Sequence, residues 1–464
     1  MAVEKTTISP VTAFEALRGL KRPFVLSGSH FAGSRHTVVG AAPFLTIDMN
    51  TSGAVIVPYQ GRPKTERFED PFDFLGSYFA DIRHSPVPGA AFPFTPAAVG
   101  YFSYDLKDVA WKTAKTNAAP SDIPLASLSF YSAFYVYDHT EGSAHIASFD
   151  VPEGLNAAAI VRNTLKGAET SDPGASACRF QRATEGIESS SSMSKEEYIE
   201  AVNRAKAYIT AGDVYQINIA RFLSMPFSGD PYCFFRAMAD NYPSRFPSYM
   251  DFSSFQIIAN TPERFLSIRG HEISTEPIKG TRKRAADKEA DKALIEELKH
   301  DPKENAEHVM IVDLSRSDIG RVSVTGSVSV DGFKRVETYP NLHHMVSTVS
   351  GKLLSGINAF GALKEIFPGG SVTGTPKRRA TEIIDEIEGK KRGLYTGALG
   401  WIGLNGDMDL AMAIRTAVVK DNAVTLGIGS GIVADSNPER EFDETGIKAK
   451  DFLKAAASIT LESK

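Results

Sequence analysis

The sequence predicts an α+β protein in which antiparallel sheet is packed against outer helices. Three observations carry this. Strand-like runs are frequent and often adjacent, among them VYQINIARFLSM, FQIIAN, RFLSIRG, RVSVTGSVSV, TGALGWIGL, MDLAMAIRTAVV and AVTLGIGSGIVA. Helical segments are interspersed without strict strand–helix alternation, which disfavours a doubly wound parallel sheet. Apolar residues make up 42% and charged residues 23% of the 464, ordinary for a globular chain with ample core material.

The elements follow in order. PFVLSGSHFA, HTVVGAAPFLTIDM and SGAVIVPYQG read as strands separated by glycine turns. A helix is expected over FEDPFDFLGSYFADIRH, started after Pro71. AVGYFSYDL, ASLSFYSAFYVYDHT and GSAHIASFDV return to strand. The stretch ATEGIESSSSMS at 183–194 reads as a linker. It divides the chain into an N-terminal region 1–185, a Ser-rich linker 186–194 and a larger region 195–464. Ser194 and Glu197 form a capping box for the next helix, and Tyr198, Val202 and Tyr208 give its apolar face.

Charge and cysteine usage narrow the function. The 51 basic and 56 acidic residues give a net charge of −5, which excludes a dominantly basic nucleic-acid binder. No apolar run reaches a membrane span and no export pattern opens the chain. Cys178 and Cys233 form no CxxC pair, so a disulfide framework and a cysteine-based zinc site are not expected. The expectation is a reduced, cytoplasmic protein.

Two glycine patterns are decoys. In GGSVTGTPK at 369–377, Thr375 and Pro376 stand where a phosphate loop needs lysine and hydroxyl, and Lys377 comes too late. GIGSG at 427–431 lacks the third glycine of a dinucleotide fingerprint. It reads as a tight backbone passage whose amides suit a carboxylate.

Paired carboxylates are more informative. After Asp301-Pro302, a helix places Glu304 and Glu307 on one face. After Asn437-Pro438, Glu441, Glu444 and Lys448 share another stripe. Two helices presenting carboxylates suit Mg²⁺, which binds through one or two of them with waters and substrate oxygens. The same pattern suits solvated faces with intrahelical ion pairs. The Glu304 to His308 spacing does not match a di-iron motif. Lys279, among apolar and glycine neighbours, has the setting of an amine nucleophile, although a plain surface role is also open. Glu263, at the end of a preceding strand, has that of a general acid.

Together these segments resemble component I of the chorismate-utilising enzymes, and within them the aminodeoxychorismate synthases. The resemblance rests on GDVYQINIARF (212–222), TPERF (261–265), PIKGT (277–281), NAEHVMIVDLSRSDIGR (305–321), HHMVSTVSG (343–351), FPGGSVTGTPKRRATEII (367–384), YTGALGW (395–401), AIRTA (413–417), GIGSGIVADSNPEREFDET (427–445) and Lys448. It spans nearly all of 195–464. The N-terminal region matches through PFTPAAVGYFSYDL, where the family usually has paired glycines. Thr375 stands where alanine is usual.

The resemblance implies a large sandwich of two antiparallel sheets flanked by helices, with chorismate and Mg²⁺ in the cleft between them. Glu307 and Glu444 resemble metal ligands, with Glu304 and Glu441 behind them or bridged by water. Arg415 resembles a carboxylate clamp. Tyr395, Gly429, Ser430, Gly431, Lys448, Gly280 and Thr281 resemble the rest of the substrate pocket. His344 looks like the histidine near the ring, and His343 like a structural neighbour. Anthranilate and isochorismate synthases carry alanine where Lys279 stands. Isochorismate and salicylate synthases carry a lysine where Gln216 stands, as base for water. The implied reaction is amination of chorismate at C4, with Lys279 attacking ring C2 and Glu263 as acid, toward 4-aminobenzoate and folate. Neither cysteine has the setting of a glutaminase nucleophile, so ammonia is expected from a separate glutamine amidotransferase subunit. Ser27-Gly28-Ser29 lies where related chains begin a tryptophan pocket. The alternatives are anthranilate synthase component I and a catalytically silent amino-acid-binding subunit.

Overall fold

The computed structural model describes residues 1–28, 35–84, 95–112, 121–169, 178 and 189–459. Their strands form two twelve-stranded antiparallel sheets. The first runs, neighbour to neighbour, through Ala2–Thr6, Ser143–Ser148, Ala133–Asp138, His36–Gly40, Phe24–Leu26, Phe246–Asp251, Gln256–Thr261, Thr416–Lys420, Ala423–Ile432, Gln216–Pro226 and Ser190–Ser191, with Gly374–Thr375 also on Gln216–Pro226. The second runs through Ile278–Lys283, Leu342–Lys352, Glu272–Glu276, Arg264–Arg269, Met408–Met412, Ala398–Gly403, Ala97–Phe102, Ala126–Tyr131, Leu45–Asn50, Gly53–Pro58 and Lys64–Glu66, with Ser329–Thr338 also on Leu342–Lys352.

The main apolar core draws on both sheets. Phe24, Val38, Phe134, Met250 and Ile257 of the first join Ile47, Ile56, Leu128, Phe130, Leu399 and Leu410 of the second. A second cluster covers the first sheet with the helices Pro10–Leu17, Leu155–Glu169, Pro231–Asn241 and Pro438–Ala457. A third seats Lys195–Thr210 and Lys377–Glu388 over the strand Gln216–Pro226. No described helix is long and apolar enough to cross a membrane.

The helix starts follow their local chemistry. Asp70 caps Pro71–Asp81, and Ser194 and Glu197 close a capping box on Lys195–Thr210. Asp301 caps Pro302–Gly320 by accepting from the Lys303 and Glu304 amides. Asn437 does the same for Pro438–Ala457.

Several expectations are corrected. The division at 186–194 does not separate two bodies. Phe24–Leu26 pairs with Phe246–Asp251, and Ala97–Phe102 pairs with Ala398–Gly403, so each sheet takes strands from both sides. Within the Ser-rich stretch, whose residues 186–188 lie outside the described set, Ser190 and Ser191 are an edge strand against Leu223 and Ser224. RVSVTGSVSV is mostly irregular: Val322 is buried, Gly326 turns at φ +81°, and strand resumes only at Ser329. MDLAMAIRTAVV is two strands in different sheets, Met408–Met412 and Thr416–Lys420. Its even apolar character reflects burial in both sheets. Finally, Cys178 and Cys233 form a disulfide across 55 residues of sequence.

Candidate active site

The site grows from a double crossover. Gln256–Thr261 in the first sheet continues through Pro262 and Glu263 into Arg264–Arg269 in the second. Its neighbour crosses back, from Met408–Met412 to Thr416–Lys420. The two stay bonded throughout. The Met412 amide donates to the Glu263 carbonyl at 3.0 Å, and the Asn260 amide to the Arg415 carbonyl at 2.9 Å. The Thr261 hydroxyl donates to the Met412 carbonyl at 2.7 Å. Arg415 takes a left-handed φ of +46°, strained for a non-glycine residue and enforced by this bend.

Glu263 is buried, 6% exposed, and its Oε1 accepts from the Ser371 hydroxyl at 2.6 Å. Burial pushes its carboxyl up to about 7, against the opposing pull of Ser371 and Lys279. It therefore holds a proton near neutrality, as a general acid must.

Lys279 enters on the strand Ile278–Lys283. Three residues earlier, Glu276 anchors that chain, accepting from Arg245 at 2.7 Å, Arg264 at 2.6 Å and Arg335 at 2.9 Å. The Lys279 Nζ is 3.9 Å from Glu307 Oε2. A Cβ placed on Gly431 would lie 3.3 Å from Lys279 Nζ and 3.0 Å from Gln216 Nε2. The missing side chain at 431 thus leaves a cradle between an amine and an amide. Gln216 is 1% exposed, and among the described residues neither its Oε1 nor its Nε2 has a partner. A buried amide left unsatisfied is costly, and it marks where a ligand's polar group belongs.

The helices Pro302–Gly320 and Pro438–Ala457 bring their carboxylates to the same place. Burial raises the Glu307 carboxyl above its ordinary value; Lys279 and Lys303 oppose this, and Glu304 and Glu441 add to it. Burial also pushes Glu444 upward, but Lys448, then Lys279 and Lys303, outweigh it and hold that carboxyl low. Lys448 pairs with Glu444 at 2.6 Å and donates to the Gly429 carbonyl at 2.9 Å. Arg282 reaches Glu304 at 3.2 Å, and the Ser430 hydroxyl donates to the buried Glu441. Among the described residues no three His, Cys, Asp or Glu side chains converge tightly enough to hold an ion alone. Glu307 and Glu444, one from each helix, instead match the sparse protein ligation of Mg²⁺.

The remaining residues line the cleft. Arg415 faces it with Asn260, Tyr339, His344, Lys448 and Asp451. Burial holds its guanidinium below its ordinary value, with Asp451 opposing. It forms no side-chain ion pair among the described residues, so it is available to a carboxylate. His344 is buried and shares a 2.9 Å hydrogen bond with Thr281. Burial, with Arg415 adding to it, depresses its imidazole to about 3, so it is neutral. Gly280 precedes that contact with φ +86°. Tyr395 is buried with its hydroxyl 2.8 Å from where a Gly429 Cβ would sit, which accounts for glycine there. His343 is fully buried between Asp291 at 3.0 Å and Thr338 at 2.9 Å, away from this chemistry. Lys377 is committed to Asp318 at 2.8 Å and the Ile366 carbonyl at 2.6 Å, so the phosphate-loop decoy holds no phosphate cradle.

The sequence carries no sign of the roles of Ser371 or of the arginines around Glu276. Their partners lie far along the chain, and no local signal marks them. Ser27 lines a separate cavity of about 280 Å³ with Arg35, His36, Phe246, Arg269 and Trp401. Ser29, also expected there, lies outside the described residues.

The model of the chorismate binding enzymes matches residues 55–454. The chain belongs to the chorismate-binding enzyme family. Anthranilate synthase component 1 of Thermus thermophilus is 40% identical over 370 residues, covering 78% of this chain and 78% of that protein. That of Aquifex aeolicus is 38% identical over 364 residues, 77% and 73% respectively. The crystal structure of anthranilate synthase component I from Streptococcus pneumoniae superposes with a TM-score of 0.79 at 29% identity, over 98% of this chain and 99% of that one.

The Glu263 carboxyl yields a stability prediction. Its native value lies above the unfolded one, so below about pH 4.5 it is protonated in both states and costs nothing. As pH rises from there to about 7 the unfolded chain ionises first, and stability is lost. Glu263→Gln is therefore expected to melt with the native protein near pH 4 and above it near pH 8, read by thermal denaturation at about those two values.

Proposed function

We propose that the chain aminates chorismate at C4 to give 4-amino-4-deoxychorismate, as an aminodeoxychorismate synthase component I, with ammonia drawn from a separate glutamine amidotransferase subunit. The observation that carries this reading is the Lys279 amine, 3.9 Å from Glu307 and beside the Gly431 cradle. At this position an amine can reach the ring that the site is shaped to hold.

The steps balance as follows. The lone pair of the Lys279 amine attacks ring C2. The two ring double bonds each shift by one position toward C4, the C4–O bond breaks, and Glu263 gives its proton to the departing hydroxyl, which leaves as water. Ammonia then adds at C4, the two double bonds shift back, the C2–N bond breaks with its electron pair returning to the Lys279 amine, and the new C4 ammonium gives a proton back to the Glu263 carboxylate. The enolpyruvyl group is untouched. Covalent catalysis here divides one difficult displacement into two. Arg415 clamps a substrate carboxylate, and neutral His344, held by Thr281, adds no competing charge beside it. Gln216 offers an amide to ammonia and cannot act as a base for water. Glu307 and Glu444, with Glu304 and Glu441 behind them, would hold Mg²⁺, whose charge offsets the second carboxylate and orients it. Both cysteines are tied in the disulfide, which supports an outside source of ammonia.

The names of the relatives favour a second reading, anthranilate synthase component I. In that reaction ammonia adds at C2 and pyruvate is eliminated. Lys279 argues against it, because its amine competes with ammonia for that carbon. The convergence of Glu263, Lys279, Arg415 and Glu307 argues against a silent amino-acid-binding subunit. Tryptophan, if bound, falls to the cavity beside Ser27.

Purified protein given chorismate, Mg²⁺ and an ammonium salt is expected to form 4-amino-4-deoxychorismate without pyruvate. Fluorescent anthranilate with equimolar pyruvate would instead establish the second reading. Lys279→Ala is expected to lower C4 amination by at least about a hundredfold while leaving the thermal midpoint within a few degrees. Glu307→Ala is expected to raise the Mg²⁺ concentration for half-maximal rate by about tenfold or more, measured by metal titration of the initial rate.

A further inference from the structure

The segment FPGGSVTGTPK holds no phosphate, yet it is built with care. Gly370–Val372 is a single 3₁₀ turn pressed between two neighbours. A Cβ on Gly369 would lie 2.2 Å from Met412 Cε, and one on Gly370 would lie 2.4 Å from Leu314 Cδ2. The two glycines let the turn sit directly against the Met412 and Leu314 side chains. The Thr373 hydroxyl donates to the Gly369 carbonyl at 2.9 Å, and Lys377 pins the flanking Ile366 carbonyl at 2.6 Å. The turn is thereby fixed to the same strand whose Met412 amide holds the Glu263 main chain. What it presents to the site is one hydroxyl, Ser371 Oγ, donating to Glu263 Oε1 at 2.6 Å.

We infer that Ser371 is a positioning residue: its hydroxyl occupies Oε1 of Glu263, orients the carboxyl, leaves Oε2 to carry the transferable proton, and stabilises the carboxylate left after transfer. This deepens the proposed function, on whose assignment of Glu263 as the acid it rests. A donor–carboxylate contact of this length is of the stronger, charge-assisted kind once the proton has left. In a buried setting the carboxyl alone would hold its proton too tightly to return as a carboxylate, so a fixed donor makes release easier without opening the site to water. The charged groups facing Glu263 are few. Lys279, on Ile278–Lys283, is the one that acts on it, and its Nζ is 3.9 Å from Glu307 Oε2. Asp318 and Lys377, paired at 2.8 Å, lie under the turn. Arg264 is spent on Glu276 at 2.6 Å and Asp409 at 3.0 Å.

The test reads the proton on Glu263 directly. The chain is labelled with glutamate carrying ¹³C at the side-chain carboxyl, and the Glu263 resonance is assigned by its loss in Glu263→Gln. Its titration midpoint is then followed without substrate. Ser371→Ala is expected to raise that midpoint by at least about half a pH unit. Ser371→Thr, which keeps the hydroxyl, is expected to restore it, and Ser371→Cys, a weaker donor, to fall between. In turnover with ammonium, Ser371→Ala is expected to lose kcat by about tenfold or more with KM within about twofold. Thermal melts confirm that each variant is folded, which a merely structural serine would also satisfy while leaving the midpoint in place. A midpoint unmoved in folded Ser371→Ala overturns the assignment, whatever product the enzyme makes. A product other than 4-amino-4-deoxychorismate overturns the functional reading and leaves the midpoint shift standing.

Discussion

The paired crossing of two bonded strands between the sheets is the constraint on which the site depends. At Pro262–Glu263 and at Ala413–Arg415 the chain leaves one sheet and joins the other, and the two crossings hold each other by main-chain hydrogen bonds. A corner of this kind cannot shift one strand without the other. It places the buried acid and the free guanidinium at the mouth between the layers, where neither could sit on a regular strand face. Each residue's burial follows from that placement, and so does the strain accepted at Arg415.

Around this corner the charges are arranged so that a ligand completes them. Burial raises the Glu263 carboxyl to about 7 against the pull of Ser371 and Lys279. Among the described residues Arg415 has no side-chain ion pair and the Gln216 amide no hydrogen-bond partner. Glu307 and Glu444 come from separate helices, each started by an acidic or amide cap and a proline, and both feel Lys279 and Lys303. Such a set is poor for stability, since unpaired buried polar groups are costly. It is well suited to a ligand that brings carboxylates of its own. Arg245, Arg264 and Arg335 all converge on Glu276, three residues before Lys279, and so anchor the chain that carries the lysine.

What was legible in the sequence was local. The helices after Pro71, Ser194, Asp301 and Asn437 could be read because their caps and apolar spacing lie within a few residues. The carboxylate stripes followed from those helices. The site residues themselves were legible chiefly through the family resemblance, since Glu263, Lys279 and Arg415 are singly unremarkable. What escaped was non-local. MDLAMAIRTAVV reads as one strand because both halves are buried; only pairing reveals that the chain changes sheets at Arg415. The serines at 190–191 look like a linker by composition and become an edge strand because Leu223 and Ser224 offer an open ladder. The Cys178–Cys233 pairing joins positions 55 residues apart with no motif around either. Ser371 was quoted within a motif yet given no role, because its partner lies 108 residues earlier.

The central claim is that the ring is bonded transiently to one amine of this chain. Intact-protein mass spectrometry after incubation with chorismate and Mg²⁺, with all ammonia withheld, tests it most directly. The account predicts a single adduct of chorismate less water, mapped to the peptide containing Lys279, absent from Lys279→Ala and discharged on adding ammonium. An unmodified chain that nevertheless aminates C4 at its full rate when ammonium is restored would contradict it.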